Sequence, residues 1–136
     1  MNTVDATAME NLFIAATATS PEIDFRFDAH RLAMRGESYP ENAAAFYGPI
    51  IAQLDAYLQD CEGAEIVVDI ALSYFNSSST KMLFNLFDAL NRAALDGNTV
   101  RLHWLHDDED DTIQEFGEEL QADFEAIEFI DQPIQS

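Results

Sequence analysis

Hydrophobic and polar positions change period several times along the chain, and each change marks an element. In "EIDFRFDAHRLAMRGESY", Ile23, Phe25 and Phe27 alternate with Asp24, Arg26 and Asp28, and Leu32 and Met34 alternate with Arg31 and Arg35. This is the period-2 pattern of half-buried strands, and it predicts a hairpin turning near Ala29 and His30. The period then lengthens: Phe46, Ile50, Ile51, Leu54, Tyr57 and Leu58 recur at helical spacing behind Pro40 and a capping Asn42. They predict a helix over 43–59. Pro49 lacks an N–H donor and crowds the carbonyl four residues back, so a kink or restart is expected near Gly48.

"AEIVVDIALSYF" is β-branched and almost continuously apolar, as a central strand covered on both faces would be. After it, Leu83, Phe87, Leu90 and Ala94 make a helical stripe, with Lys81, Asn85, Asp88 and Arg92 opposite and Gly97–Asn98 as the stop. "TVRLHWLH" predicts a further strand, "DDEDDTIQEFGEELQADF" a helix with Ile113, Phe116, Leu120 and Phe124 inward, and "AIEFI" a closing strand. Strands alternating with helices argue for an α/β (α+β) fold, one mixed and mostly parallel sheet packed against about three helices. Residues 1–20 read as an N-terminal arm or an extra edge strand, and 21–136 as a single domain.

Composition narrows the class. With 136 residues, 48% of them hydrophobic, the chain can bury one substantial core. No apolar run approaches the ~18–20 residues of a membrane span, and no basic segment precedes an apolar one at the N-terminus. The single Cys61 forms no disulfide framework and fits a reducing compartment, so a cytoplasmic protein without membrane insertion is expected. Twenty-six acidic residues against six basic ones give a net charge of −20, which argues against nucleic acid as a partner.

The chemistry-bearing residues form no catalytic set. There is no nucleophile elbow, no phosphate-cradling glycine loop and no paired zinc motif, so neither cofactor nor metal is expected. His103 and His106 are three apart, on opposite faces of a strand. Asp107, Glu109, Asp111, Glu115 and Glu118 match calcium-loop spacing, but Thr112 occupies the position that needs glycine, and acidic residues at a helix start are favourable without a metal. That leaves Ser77, Ser78, Ser79 and Thr80, more hydroxyls than one helix cap requires. Helical phase puts Ser77 in line with the polar face, whereas Ser78 and Ser79 align with apolar positions and read as the helix-start residues. A phosphate on such a turn would meet free N–H donors and the positive end of the helix dipole, with Lys81, the only lysine, one turn on.

Three ordered motifs, "RGESYPEN" (35–42), "VVDIALSYFNSSSTKML" (67–83) and "VRLHWLHDDED" (100–110), resemble the SiaC family of bacterial regulatory phosphoproteins, over a span from about Arg31 to Ile130. The resemblance implies a STAS-like fold, similar to anti-sigma-factor antagonists, and no catalytic activity. It implies reversible phosphorylation by a cognate serine/threonine kinase and a metal-dependent phosphatase. It also implies that the unphosphorylated form binds an effector such as a diguanylate cyclase, and so influences cyclic-di-GMP signalling. Carried onto this chain, the family's modified threonine falls on Ser77, between Asn76 and Ser78–Ser79, with Thr80 as the rival. A non-enzymatic partner switch is therefore expected, docking through Phe75, Asn76, Ser78, Ser79 and Lys81. The alternative is a phosphorylation-independent scaffold that binds through exposed aromatics such as Phe75 or Phe84, and a hydrolase or calcium-dependent enzyme is the weakest reading.

Overall fold

The computed structural model describes residues 10–135. Among them are six strands, β1 (Leu12–Ile14), β2 (Glu22–Arg26), β3 (Arg31–Ser38), β4 (Glu65–Phe75), β5 (Thr99–Asp107) and β6 (Glu128–Ile134), and three helices, α1 (Ala43–Gln59), α2 (Ser77–Leu95) and α3 (Asp111–Asp123). The strands lie in one sheet in chain order. β1–β2 and β2–β3 are antiparallel, and β3–β4, β4–β5 and β5–β6 are parallel. From β2 onward this is the element order that the periodicity predicts, a mixed α/β fold with a mostly parallel sheet. Leu12–Ile14 lies at the sheet edge, and residues 1–9 of the expected arm lie outside the described residues.

Three successive parallel crossovers step across the sheet in one direction. Right-handed connections of that kind place all their helices on the same face; a doubly wound sheet covers both faces only because its strand order reverses. Burial follows: along β4, Ile66, Val68, Ile70 and Leu72 are buried, while Val67, Asp69 and Ala71 are only partly covered. The expectation of a central strand covered on both faces is thus corrected, and the opposite face of the sheet is open. Trp104, Tyr47, Phe25 and Phe87 are the largest fully buried side chains of the core between sheet and helices.

The helices start where the sequence places them. Asn42 Oδ1 accepts the Ala45 N–H at 3.0 Å at the head of α1, and α1 then runs through Pro49 without the expected restart. Pro49 and Ala45 both face outward, so water reaches the carbonyl that the proline leaves without a donor, and Gly48 has no Cβ to meet the proline ring. α2 ends at Gly97, whose φ of 106° only glycine takes readily, and Asn98 Nδ2 donates to the Ala93 carbonyl at 3.0 Å.

Candidate functional site

The strand-to-helix turn from β4 into α2 is fastened by β3. Ser38, at the end of β3, accepts the Asn76 N–H on its carbonyl at 3.1 Å and donates its own hydroxyl to Ser79 Oγ at 2.8 Å. The same Ser38 hydroxyl meets Tyr47 of α1, so three buried hydroxyls from β3, α1 and α2 form one connected group. Burial pushes the Tyr47 pKa up to about 12, with the Ser38 and Ser79 hydrogen bonds pulling the other way, so its hydroxyl stays protonated at neutral pH. Tyr47 escaped the periodicity argument, which assigned that face of α1 to Phe46 instead.

The cap of α2 is Asn76. Its Oδ1 accepts the Ser79 N–H at 2.9 Å, and its carbonyl accepts both the Thr80 N–H at 3.0 Å and the Thr80 hydroxyl at 3.1 Å. Ser78 and Ser79 are helix-start residues, as expected, but the cap itself is an Asx side chain, and all four hydroxyl residues lie inside the helix. Their roles then separate. Ser79 is fully buried and cannot touch a partner directly; Thr80 is half-buried with its hydroxyl turned back on the backbone; Ser77 and Ser78 are exposed. Helical phase singled out Ser77 but did not anticipate that Ser78 would also be open. At the first turn, phase is a weak guide because the helix axis is only being established.

α2, like α1, has no acidic residue in its first turn, although the protein carries 26, whereas α3 has Asp111 there. The positive end of the α2 dipole is therefore left uncompensated, and its first N–H groups have no acceptor within the helix. Exposed Lys81 stands one turn further along.

A register shift reshapes the strand ends. β3 and β4 pair Gly36 with Leu72 but Glu37 with Tyr74, so Ser73 is the extra residue of a bulge, and its hydroxyl donates to the Gly36 carbonyl at 3.4 Å. A bulge inverts the facing of every later residue. Tyr74 consequently points out, where it meets Tyr39 edge-on at 5.7 Å between ring centroids, the two rings 49% and 37% exposed. Phe75 turns under α3, 4.6 Å from Phe116, and Phe84 packs on the same ring at 5.6 Å. Phe75 and Phe84, expected to be exposed, are partly covered, and the exposed aromatics at this end of the sheet are Tyr39 and Tyr74.

The acidic run sits beyond β5 at the same end of the sheet. Asp107, Asp108 and Glu109 bring carboxylate oxygens within 4.8 Å of one another. Hydrogen bonds explain the turn: Asp107 Oδ1 accepts the Glu109 N–H at 2.8 Å, and Asp110 caps α3 through the Ile113 N–H at 3.1 Å. Thr112 is helical, as the calcium-loop argument requires for a loop that is not one. His103 lies on the open face, 2.9 Å from Asp69, and His106 is buried on the other, 2.9 Å from Asp131. None of the described helices is long and apolar enough to cross a membrane.

Comparison with known proteins agrees with this geometry. Residues 14–134 match the family described as SiaC family regulatory phosphoprotein. An uncharacterized protein of Pseudomonas aeruginosa (strain UCBPP-PA14) is 34% identical over 115 residues, 85% of this chain and 90% of the relative. The crystal structure of the diguanylate cyclase SiaD in complex with its activator SiaC, from P. aeruginosa, aligns at a TM-score of 0.84 and 32% identity, covering 90% of this chain and 99% of the matched one. SiaC of P. aeruginosa aligns at 0.80 and 30% identity, over 94% of this chain and 100% of that one.

Proposed function

Because the chain belongs to the SiaC family of regulatory phosphoproteins, we propose that it is a non-enzymatic partner switch, with residues 21–136 as its single regulatory domain. A cognate serine/threonine kinase phosphorylates Ser77, a metal-dependent phosphatase reverses the step, and the unphosphorylated form binds an effector. The complex of SiaC with SiaD makes a diguanylate cyclase the first effector to test. The observation that carries the site is the first turn of α2, where an exposed serine stands at an uncompensated helix N-terminus, free of acidic neighbours in that turn.

A phosphate there carries a charge of about −1.5 to −2 and can accept hydrogen bonds from the first N–H groups of α2 and from Lys81. It also adds a hydrated anion three residues from Tyr74, on a protein of net charge −20. Desolvating that anion at a docked interface weakens the effector by roughly 1–3 kcal/mol, from several-fold to a few hundredfold. The kinase and phosphatase contact the same edge through Asn76, Ser78 and Lys81, while Ser79 acts from beneath by holding the turn in place.

Incubation with the cognate kinase followed by phosphopeptide mass spectrometry tests the site. Phosphate should disappear in Ser77→Ala and persist in Ser78→Ala; phosphate that persists in Ser77→Ala refutes the assignment. The exposed Tyr39–Tyr74 pair favours one other reading, an interaction module indifferent to phosphate. Under that reading Ser77→Ala and Ser77→Asp bind the effector equally well in a pull-down.

A further inference from the structure

Resting on the partner-switch reading, we propose that Tyr47 and Ser38 are positioning residues for phosphotransfer to Ser77, and that they act through Ser79. Ser77 is exposed, and among the described residues its hydroxyl has no hydrogen-bond partner. That leaves the hydroxyl open to a kinase, and its place is set by the backbone on either side of it. Ser38 and Asn76 hold that backbone. The Ser38 carbonyl accepts the Asn76 N–H at 3.1 Å, Asn76 Oδ1 accepts the Ser79 N–H at 2.9 Å, and Ser38 Oγ donates to Ser79 Oγ at 2.8 Å.

The hydroxyls beneath the turn close into a ring. Each has one proton to donate. Ser38 gives its proton to Ser79, so Ser38 accepts in its contact with Tyr47, and Tyr47 donates. Tyr47 is also hydrogen-bonded to Ser79, and with its own proton on Ser38 it accepts there. Each hydroxyl therefore donates once and accepts once, and all three side chains are fully buried. Deleting one member leaves a buried donor and a buried acceptor without partners, and the survivors must shift to pair again. β3, α1 and α2 supply one member each, so the first turn of α2 is tied to both the sheet and α1.

Placement matters for the chemistry. In phosphotransfer, Ser77 Oγ bonds to the γ-phosphorus of the nucleoside triphosphate held by the kinase, the bond to the bridging oxygen breaks, the diphosphate leaves and the hydroxyl proton passes to a base of the kinase. Such a step depends chiefly on in-line positioning, and a displacement of ~1 Å can cost on the order of a hundredfold. Tyr57 supplies an internal control. It lies on α1 with Tyr47 and is also buried, but its hydroxyl meets His30 at the start of β3, the end opposite Ser38.

Phosphorylation of the full chain by its cognate kinase, with urea unfolding to confirm that each variant is folded, tests this. In Tyr47→Phe, kcat/KM for Ser77 should fall at least about tenfold, and in Tyr57→Phe it should stay within about twofold. Ser79→Ala should match Tyr47→Phe, and the double variant should be no more than about twofold worse than either, because the ring acts as a unit. Amide exchange at Asn76 and Ser79, read by NMR without the kinase, should quicken at least about tenfold in Tyr47→Phe and be unchanged in Tyr57→Phe. A parent not phosphorylated on Ser77 refutes the partner-switch reading, while the exchange rates still decide whether the ring holds the turn. Equal phosphorylation of Tyr47→Phe and Tyr57→Phe, additive losses in the double variant, or exchange alike in both tyrosine variants would each overturn the proposal.

Discussion

Replacing Gly117 with alanine exposes how closely α3 lies on the sheet. A Cβ at this position would stand 2.6 Å from Trp104 Cδ1, 2.7 Å from Trp104 Nε1 and 3.2 Å from Phe129 Cζ. The first two contacts are well inside van der Waals distance, and Trp104 is 1% exposed, so its ring has no free space to enter. The indole is also tied: Trp104 Nε1 donates to the Ile113 carbonyl at 2.9 Å, one turn before Gly117 on the same helix. Helix propensity alone would favour alanine by about 1 kcal/mol. Overpacking costs ~1–3 kcal/mol, and an indole pushed off its acceptor leaves a buried donor unpaired for a further ~1–3 kcal/mol. The costs outweigh the gain, and Gly117→Ala should destabilise the protein by about 2 kcal/mol or more. For a chain of this size, that lowers the melting temperature by roughly 5–10 °C.

The single tryptophan makes the assay direct, because Trp104 fluorescence reports unfolding from the site of the perturbation. Urea unfolding of Gly117→Ala should show a lower midpoint at unchanged slope. Circular dichroism then closes a double-mutant cycle. In a Trp104→Phe background, which lacks Nε1 and has a smaller ring, the cost of Gly117→Ala should fall by about half or more. A Gly117→Ala protein as stable as the parent would refute the reasoning, and so would a cost that is the same in both backgrounds. The consequence extends to the functional turn, since α3 carries the Phe116 ring that braces Phe75 beside the Asn76 cap.

Asn76→Ala removes the acceptor for the Ser79 N–H and should cost about 1 kcal/mol in urea unfolding, with Asn76→Asp recovering most of it. His106 predicts a pH dependence. Burial lowers its pKa, but the Asp107 carbonyl and the Asp131 carboxylate, joined by the charge of Asp110, outweigh burial and raise it above 6.5. Both ring nitrogens face acceptors, Nδ1 at 2.8 Å and Nε2 at 2.9 Å, and only the imidazolium donates to both. A raised folded pKa gives stability that is fully present below the unfolded value of about 6.5 and is lost as pH climbs through the folded value. The stability difference between the parent and His106→Gln should therefore shrink from about pH 6.5 upward; a difference that stays flat or grows over that range refutes it.

What the sequence reveals of this fold is what depends on one segment at a time. The start of α1 behind Asn42, the polar face Lys81–Asn85–Asp88–Arg92 and the stop at Gly97–Asn98 all follow from local period and local backbone chemistry. The features missed are set by pairs of segments. Ser38 holds the α2 turn from a strand about forty residues away, and no periodicity marks a serine as the donor to another serine's hydroxyl. The bulge at Ser73 exists only in the register of β4 against β3, so parity carried straight through it exchanges Tyr74 and Phe75. Exposure of Ser78 belongs to the same class, because what covers a first-turn residue is the neighbouring strand end, not its own helix.

The open sheet face is the instructive case, because a signal for it was present and was outweighed. "EIVVDIALSYF" looks continuously apolar, yet Asp69 stands at its centre, and a carboxylate at the middle of a strand buried on both faces would cost several kcal/mol without a partner. Its nearest partners are Arg31 on β3 and His103 on β5, each on the same face of the sheet. Arg31 and Arg35 already alternate outward from Leu32 and Met34 in the hairpin, so one charged row continues from β2 across β5. Given strands in chain order, right-handed crossovers leave that row uncovered. A central Asp in an apolar strand, flanked by Arg and His on the strands before and after it, is the pattern of a sheet with helices on one side. The face it marks also gathers two thirds of the chain's basic residues, Arg26, Arg31, Arg35 and Arg101, each paired with a carboxylate, so the ion-paired row and the one-sided topology are two aspects of the same arrangement.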